Sequence, residues 1–353
     1  MSSILGSFLV DPVVSIYLPK DAALAASTVD CISKNALYSE VDRFGFSGLL
    51  NYILYRKYVP KRAYCNWVHG WKWYKPIDPK MLGLTEKAIH NYFARKKPIV
   101  VHNHYQQKLL SEAGFTRVIN GCLPYAYLSL LPKSPSRPIN IANRNVLVLL
   151  PKSQYYAQKR KSFDEMISFV NSDRRLVEKS VLCVFADDIK RQSVIDLLSS
   201  QSVPFIIGAS PFDLLAMLRI KKIISSFGVI LTNTIGTHIP LAASCGVKVQ
   251  VIPEIYDERS FSFIKDCWPS GELALPPNDY FEYLEFAYSL DFLKHNLGFL
   301  LNDDFWLGPF RDWGAREING NQILRGQGLK NVLGWNSKGF ARSITFSLLS
   351  RIT

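Results

Sequence analysis

Between Gly228 and Glu254 the chain reads GVILTNTIGTHIPLAASCGVKVQVIPE, and this stretch limits the fold more than any other. Two short apolar runs, Gly228–Leu231 and Val247–Ile252, bracket a segment of small residues, Ala242, Ala243, Ser244 and Cys245. Short apolar runs bounded by turn signals suit strands buried on both faces, as in a parallel sheet with crossover helices. The hydroxyl-rich turn between them, Thr232, Asn233, Thr234, Gly236 and Thr237, stands where a helix begins. There the first N–H groups lack helical partners and the helix dipole is positive. Such a turn suits a phosphate or a carboxylate, and Gly236 lets the backbone come close. The competing explanation is an ordinary helix cap by Thr234 or Thr237. Three threonines where one would cap, and the acid Glu254 closing the next strand, favour the anion.

The same alternation runs along the chain. VVSIYLP, AYCNWVHGW, KPIVVHN and TRVINGCLP read as strands of a first half, with helices between them. NVLVLLP, SVLCVFADD, VPFIIG, GVILTN and VKVQVIPE read as strands of a second half. Leu131–Asn145, rich in Pro, Ser and Asn, is the best linker. The expected class is α/β: two doubly wound halves facing across a cleft, followed by a helical C-terminal segment. The expected limits are 1–135, 136–305 and 306–353, the last a closing helix or a membrane-contacting segment.

With 353 residues the chain exceeds one compact core, and 48% apolar with 20% charged residues is a globular composition. No apolar run reaches the ~20 residues that cross a bilayer, and the N-terminus lacks a basic leader region. Six scattered cysteines without a CxxC pair read as buried thiols, so a cytoplasmic location is expected. A net charge of +13 calls for an anionic partner. The cluster YRKYVPKRAY lies among tyrosines and tryptophans, which suits a membrane interface or a sugar- or lipid-phosphate acceptor. Nucleic-acid signatures are missing, and no G-x-G-x-x-G follows an expected strand, which disfavours a dehydrogenase.

The order WVHGW, IVVHNHYQQKLLSEAGFTRVINGCLPYAYL, VLVLLPKS and TNTIGTHIPLAASCGVKV resembles bacterial glycosyltransferases of the two-Rossmann (GT-B) type. These build capsule and lipopolysaccharide glycans, some from CMP-activated acidic sugars. The likeness covers roughly residues 60–255 and leaves the aromatic C-terminal third unmatched. It implies that Thr232, Asn233, Thr234, Gly236, Thr237 and His238 hold the donor phosphate; it frays at Pro151-Lys152-Ser153, where Ser153 and Lys152 are candidates for the same group only by their place after the first strand of the second half. It places His69 where a base or acceptor-orienting residue sits. A neutral imidazole can take an acceptor proton at neutral pH; a structural histidine bonded to turn backbone is the alternative. Asp188 is a candidate base or charge stabiliser, against a local helix cap. His238, protonated, would stabilise the leaving nucleotide, or else pack on the helix start. His102 and His104 flank Asn103, which reads as a cap.

The expected activity is sugar transfer from a nucleotide-sugar, CMP- or UDP-linked, to a surface polysaccharide or its lipid-linked precursor. No cofactor or metal is expected. The expected partners are that donor and a glycan or lipid-linked glycan acceptor, with an anionic membrane surface left open and no nucleic acid. The location would be cytoplasmic, with a peripheral position on the inner membrane face left open. A non-catalytic scaffold of the same fold is the alternative.

Overall fold

The computed structural model describes residues 12–32, 40–68, 70–82, 84, 89–131, 144–151, 157–256, 278–301 and 307–335. Five of the six strands of its larger sheet are parallel: β5 (Val146–Leu149), β6 (Ser180–Val184), β7 (Phe205–Ile207), β8 (Val229–Thr232) and β9 (Lys248–Val251). Their spatial order is β7-β6-β5-β8-β9. The chain therefore starts in the middle, builds outward to β7, and crosses back to β8 on the other side of β5. Val146 faces Val229 and Leu149 faces Thr232 across that central pair. At such a reversal the connections leave the strands in opposite directions, and a crevice opens at the carboxyl ends. Strands this apolar need cover on both faces, and helices supply it: Phe163, Met166 and Val170 of the helix Ala157–Ser172 lie in the core.

Not every strand went where the pattern suggested. Within VVSIYLP, β1 (Ile16–Tyr17) was expected to open the first half, but it is the antiparallel edge of the larger sheet, with Ile16 opposite Ile206. Tyr17 stacks on Phe205 at 5.6 Å between ring centroids. Arg219 and Lys222, on the helix Ala216–Ile224, donate to the carbonyls of Val13 and Pro12 and pin the segment there. Long-range side-chain anchors overrode chain order.

The first half keeps a three-stranded parallel sheet, β2 (Asn66–Trp67), β3 (Ile99–Val101) and β4 (Val118–Asn120). One apolar cluster joins it to the larger sheet, running from Phe46, Trp67 and Tyr127 through Met217 to Leu147 and Ile230. The expected linker lies for the most part outside the described residues, and across the described ones the two sheets share a core.

The C-terminal segment spans both sheets. The helix Leu307–Glu317 packs on the helix His238–Ser244, and a Cβ on Gly314 would stand 2.5 Å from the Ala243 Cβ. Beyond it, Leu123 donates its N–H to the Ile318 carbonyl, and Asn319 Nδ2 donates to the carbonyls of His102 and Gly121. The helix Gly326–Leu333 then reaches the first half, where Tyr64 N–H bonds to Leu333 and the Trp335 indole to Arg62. The closing helix was expected over 306–353; the helices described there are Leu307–Glu317 and Gly326–Leu333, and residues 336–353 lie outside the described residues. Among the described residues no helix is long and apolar enough to cross a membrane.

Candidate functional site

At the carboxyl end of β8 the chain turns sharply because its own side chains hold it. Thr232 Oγ1 accepts from the Thr234 N–H at 3.2 Å and bonds to the Thr234 carbonyl at 3.3 Å. Asn233 is fully buried, its Nδ2 donating to the Ser162 carbonyl and hydroxyl at 3.0 and 2.9 Å. Its Oδ1 has no partner among the described residues. Two of the expected ligand-holding side chains therefore shape the turn from inside.

The opening of the turn is its backbone. Among the described residues no acceptor meets the N–H groups of Gly236, Thr237 and His238, three half-buried residues. The helix they introduce has seven residues, and Thr237 makes no side-chain cap to it. The small residues Ala242 and Ala243 are buried in one cluster with Ile230 and Val249 of the sheet, and Ala243 and Ser244 also meet Gly314.

Thr237 points elsewhere. Its hydroxyl accepts the Trp71 N–H at 2.8 Å, so the glycine turn after β2 sits on the turn after β8. Gly70 has φ +95°, a conformation that favours glycine, and a Cβ there would lie 3.8 Å from Thr237 Oγ1. The Trp71 indole donates to Glu317 at 2.6 Å and packs edge-on against Trp313, so the C-terminal helix fixes both turns. His69, expected beside this turn as the base, lies outside the described residues, as do Lys152 and Ser153. The register still brings the chain that leads to Ser153 out of β5 directly beside Thr232.

Two of the histidines, His238 and His102, are held neutral by burial. His238 folds back on the turn, hydrogen-bonded to the Thr234 backbone, with its Nε2 buried and unpartnered. Burial lowers its pKa to about 4, outweighing that hydrogen bond. In this arrangement burial disfavours the protonated His238 that was expected to stabilise a leaving group. His102 is 5% exposed, its Nε2 2.9 Å from the Gln106 amide. Burial and the nearby Lys72 charge bring it to about 3. Burial also lowers Lys72 to about 8. Asn103 caps its helix as expected, accepting from the Gln106 N–H at 2.9 Å.

The acids divide. Asp188 follows β6 and has no exposed surface, so the expected base cannot meet an acceptor hydroxyl in this arrangement. Its carbonyl accepts from Arg191 N–H, and it belongs to the architecture of that turn. Glu254 is exposed in the turn Pro253–Ile255 that follows β9, on the same sheet edge as Thr232. Beside it a cavity of about 560 Å³ is lined by Lys161, Asp164, Glu165, Phe169 and Ile255 among others.

Sequence reasoning did not single out Trp71, Gly314 or Asn319, which join the turns. WVHGWKW marked the place, but a backbone donor leaves no trace in a side-chain pattern. No protein-family model, no curated protein and no solved structure matches this chain.

Proposed function

We propose that this chain is a glycosyltransferase of the two-Rossmann type, moving a sugar from a CMP- or UDP-linked donor to a bacterial surface polysaccharide or its lipid-linked precursor. The observation that carries the reading is the bond from Trp71 N–H to Thr237 Oγ1. It joins the carboxyl edge of one parallel sheet to the reversal point of the other, so a donor and an acceptor held at the two edges would meet. The strand order β7-β6-β5-β8-β9 is that of a nucleotide-binding doubly wound sheet, whose ligands sit outside that reversal.

In this reading the N–H groups of Gly236, Thr237 and His238 take the phosphate of the leaving nucleotide, stabilising the charge that grows on it without a divalent metal. Ser153 follows from the adjacent strand. The neighbouring cavity beside Glu254 has room for the nucleoside, and its carboxylates suit ribose hydroxyls as acceptors. With Asp188 enclosed, His69 and Glu254 remain as groups able to take the acceptor proton.

A thermal-shift screen against CMP, UDP, GDP and TDP tests this. At a hundredfold excess over its dissociation constant, a bound nucleotide adds about 2.7 kcal/mol of stability. One of the four is expected to raise the melting temperature and the others to do little. The non-catalytic scaffold is favoured by one observation: Thr232, Asn233 and Thr237 all spend their side chains on internal bonds. It expects no shift with any nucleotide, and that outcome would replace the transferase reading.

A further inference from the structure

Three basic segments distant in sequence meet on one face of the first half. Residues 56–62, 96–97 and 325–330 carry eight lysines and arginines and no carboxylate. The Lys61 ammonium lies 5.0 Å from the Tyr55 ring centroid and 4.9 Å from that of Trp335. Lys330, from the C-terminal helix, lies 4.9 Å from the same Tyr55 ring. Arg56 covers Tyr52 at 5.7 Å, and Lys97 lies 6.0 Å from Tyr64, whose N–H is bonded to Leu333. None of these cations forms an ion pair among the described residues.

Gathering like charges this way opposes folding. Partial burial and then the Lys330 charge lower the pKa of Lys61, and burial and then Arg62 lower that of Lys97. A fold that gathers cations with no ion-pair partner among the described residues, at such a cost, suits an anionic partner. Among them stands an apolar tip: Val59, between Lys57 and Lys61, is 57% exposed, and Tyr55 is 36% exposed beside it.

We propose that this face, residues 55–62, 96–97 and 330–335, docks on a bilayer rich in anionic phospholipid, with Val59 entering the headgroup layer. Lysine and arginine heads over tyrosine and tryptophan rings suit an interface that is charged outside and apolar just beneath. Nucleic acid fits less well. Its bases need bare aromatic faces, and here ammonium groups stand over them. The inference does not rest on sugar transfer, so a failed nucleotide screen leaves it standing.

Co-sedimentation of the full chain with phosphatidylcholine vesicles, with and without phosphatidylglycerol, tests it. The chain is expected to pellet only with phosphatidylglycerol and to be released by salt. Each charge near an anionic surface is worth roughly fivefold in affinity. Lys57→Glu, on a side chain exposed to solvent, therefore should weaken binding at least fivefold, and Lys57→Glu/Lys61→Glu/Arg62→Glu at least a hundredfold. Val59→Ser should weaken it severalfold while leaving the salt dependence intact. Melting curves establish that each variant folds, and Lys57→Glu alone decides the matter if the triple variant does not. Three results overturn the proposal: no pelleting with phosphatidylglycerol, pelleting unchanged by Lys57→Glu, or tighter retention on RNA or DNA than on vesicles at equal salt.

Discussion

The Trp71 N–H and the Thr237 hydroxyl are 2.8 Å apart and belong to turns that follow strands of different sheets. Their bond is half-buried, so removing the acceptor strands a donor away from water. Thr237→Val, which keeps the shape and deletes the hydroxyl, is expected to cost about 1–2 kcal/mol in urea denaturation. Thr237→Ser should stay within about 0.5 kcal/mol of the parent. A loss in Thr237→Ser with none in Thr237→Val would mean that the methyl group, not the hydrogen bond, holds the turns together.

Gly314 fixes the helix 307–317 on the helix 238–244. An added Cβ would stand 2.5 Å from Ala243 Cβ, 2.6 Å from Ser244 N and 2.7 Å from Pro240 O, two of which are backbone atoms that cannot swing aside. Gly314→Ala gains about 1 kcal/mol of helix propensity but forces the helices apart, a net loss expected at about 1–3 kcal/mol. Gly328, in the helix 326–333, has open space around its missing Cβ. Gly328→Ala should be neutral or stabilising by up to about 1 kcal/mol. Thermal melts of the two variants moving in the same direction would contradict this account.

The parallel α/β class and the turn Thr232–Thr237 were readable because both are written locally, as apolar runs and as a cluster of turn residues. Asn103 was readable as a cap for the same reason. What the sequence hid is whatever depends on a distant partner. The small side chains of Ala242–Ser244 announced close packing but could not say that Gly314 would share in it. Ile16–Tyr17 carries a strand pattern that fits either sheet, and Arg219 and Lys222, about two hundred residues further on, decide between them. Asp188 looked like a cleft acid because it ends a strand; its enclosure depends on how the following turn folds back.

His102 and His238 make stability depend on pH. Unfolded, each titrates near 6.5; folded, burial holds them neutral to about 3 and about 4. As pH falls below about 6.5 the unfolded chain takes up protons that the folded one refuses, so stability drops by up to about 1.4 kcal/mol per pH unit per histidine. Lys72 acts at the other end: its folded pKa near 8 lies below the ordinary 10.5, so stability rises with pH between those values. Denaturation midpoints followed from about pH 7 down to about pH 4 should fall, and His238→Gln should flatten the slope by one proton's worth. A slope unchanged by His238→Gln would show that this imidazole protonates in the folded chain as readily as in the unfolded one.

Arg219 and Asp213 form an ion pair at 2.8 Å with side chains only 7% and 5% exposed. The pair sits at a junction. Arg219 also donates to the Val13 carbonyl beside β1, and Asp213 Oδ1 accepts from the Leu215 N–H at 2.9 Å. Removing one partner leaves the other charge buried and unpaired, which costs about 3–5 kcal/mol, far more than the pair gains over a neutral replacement. Asp213→Ala should therefore unfold at much lower urea and release the 12–17 segment to proteolysis first. Asp213→Asn with Arg219→Met keeps the Leu215 acceptor and removes both charges, so it should recover more than half of that loss. A single Asp213→Ala costing under about 1 kcal/mol would show that water reaches the guanidinium and that Arg219 holds the Val13 carbonyl without its carboxylate partner.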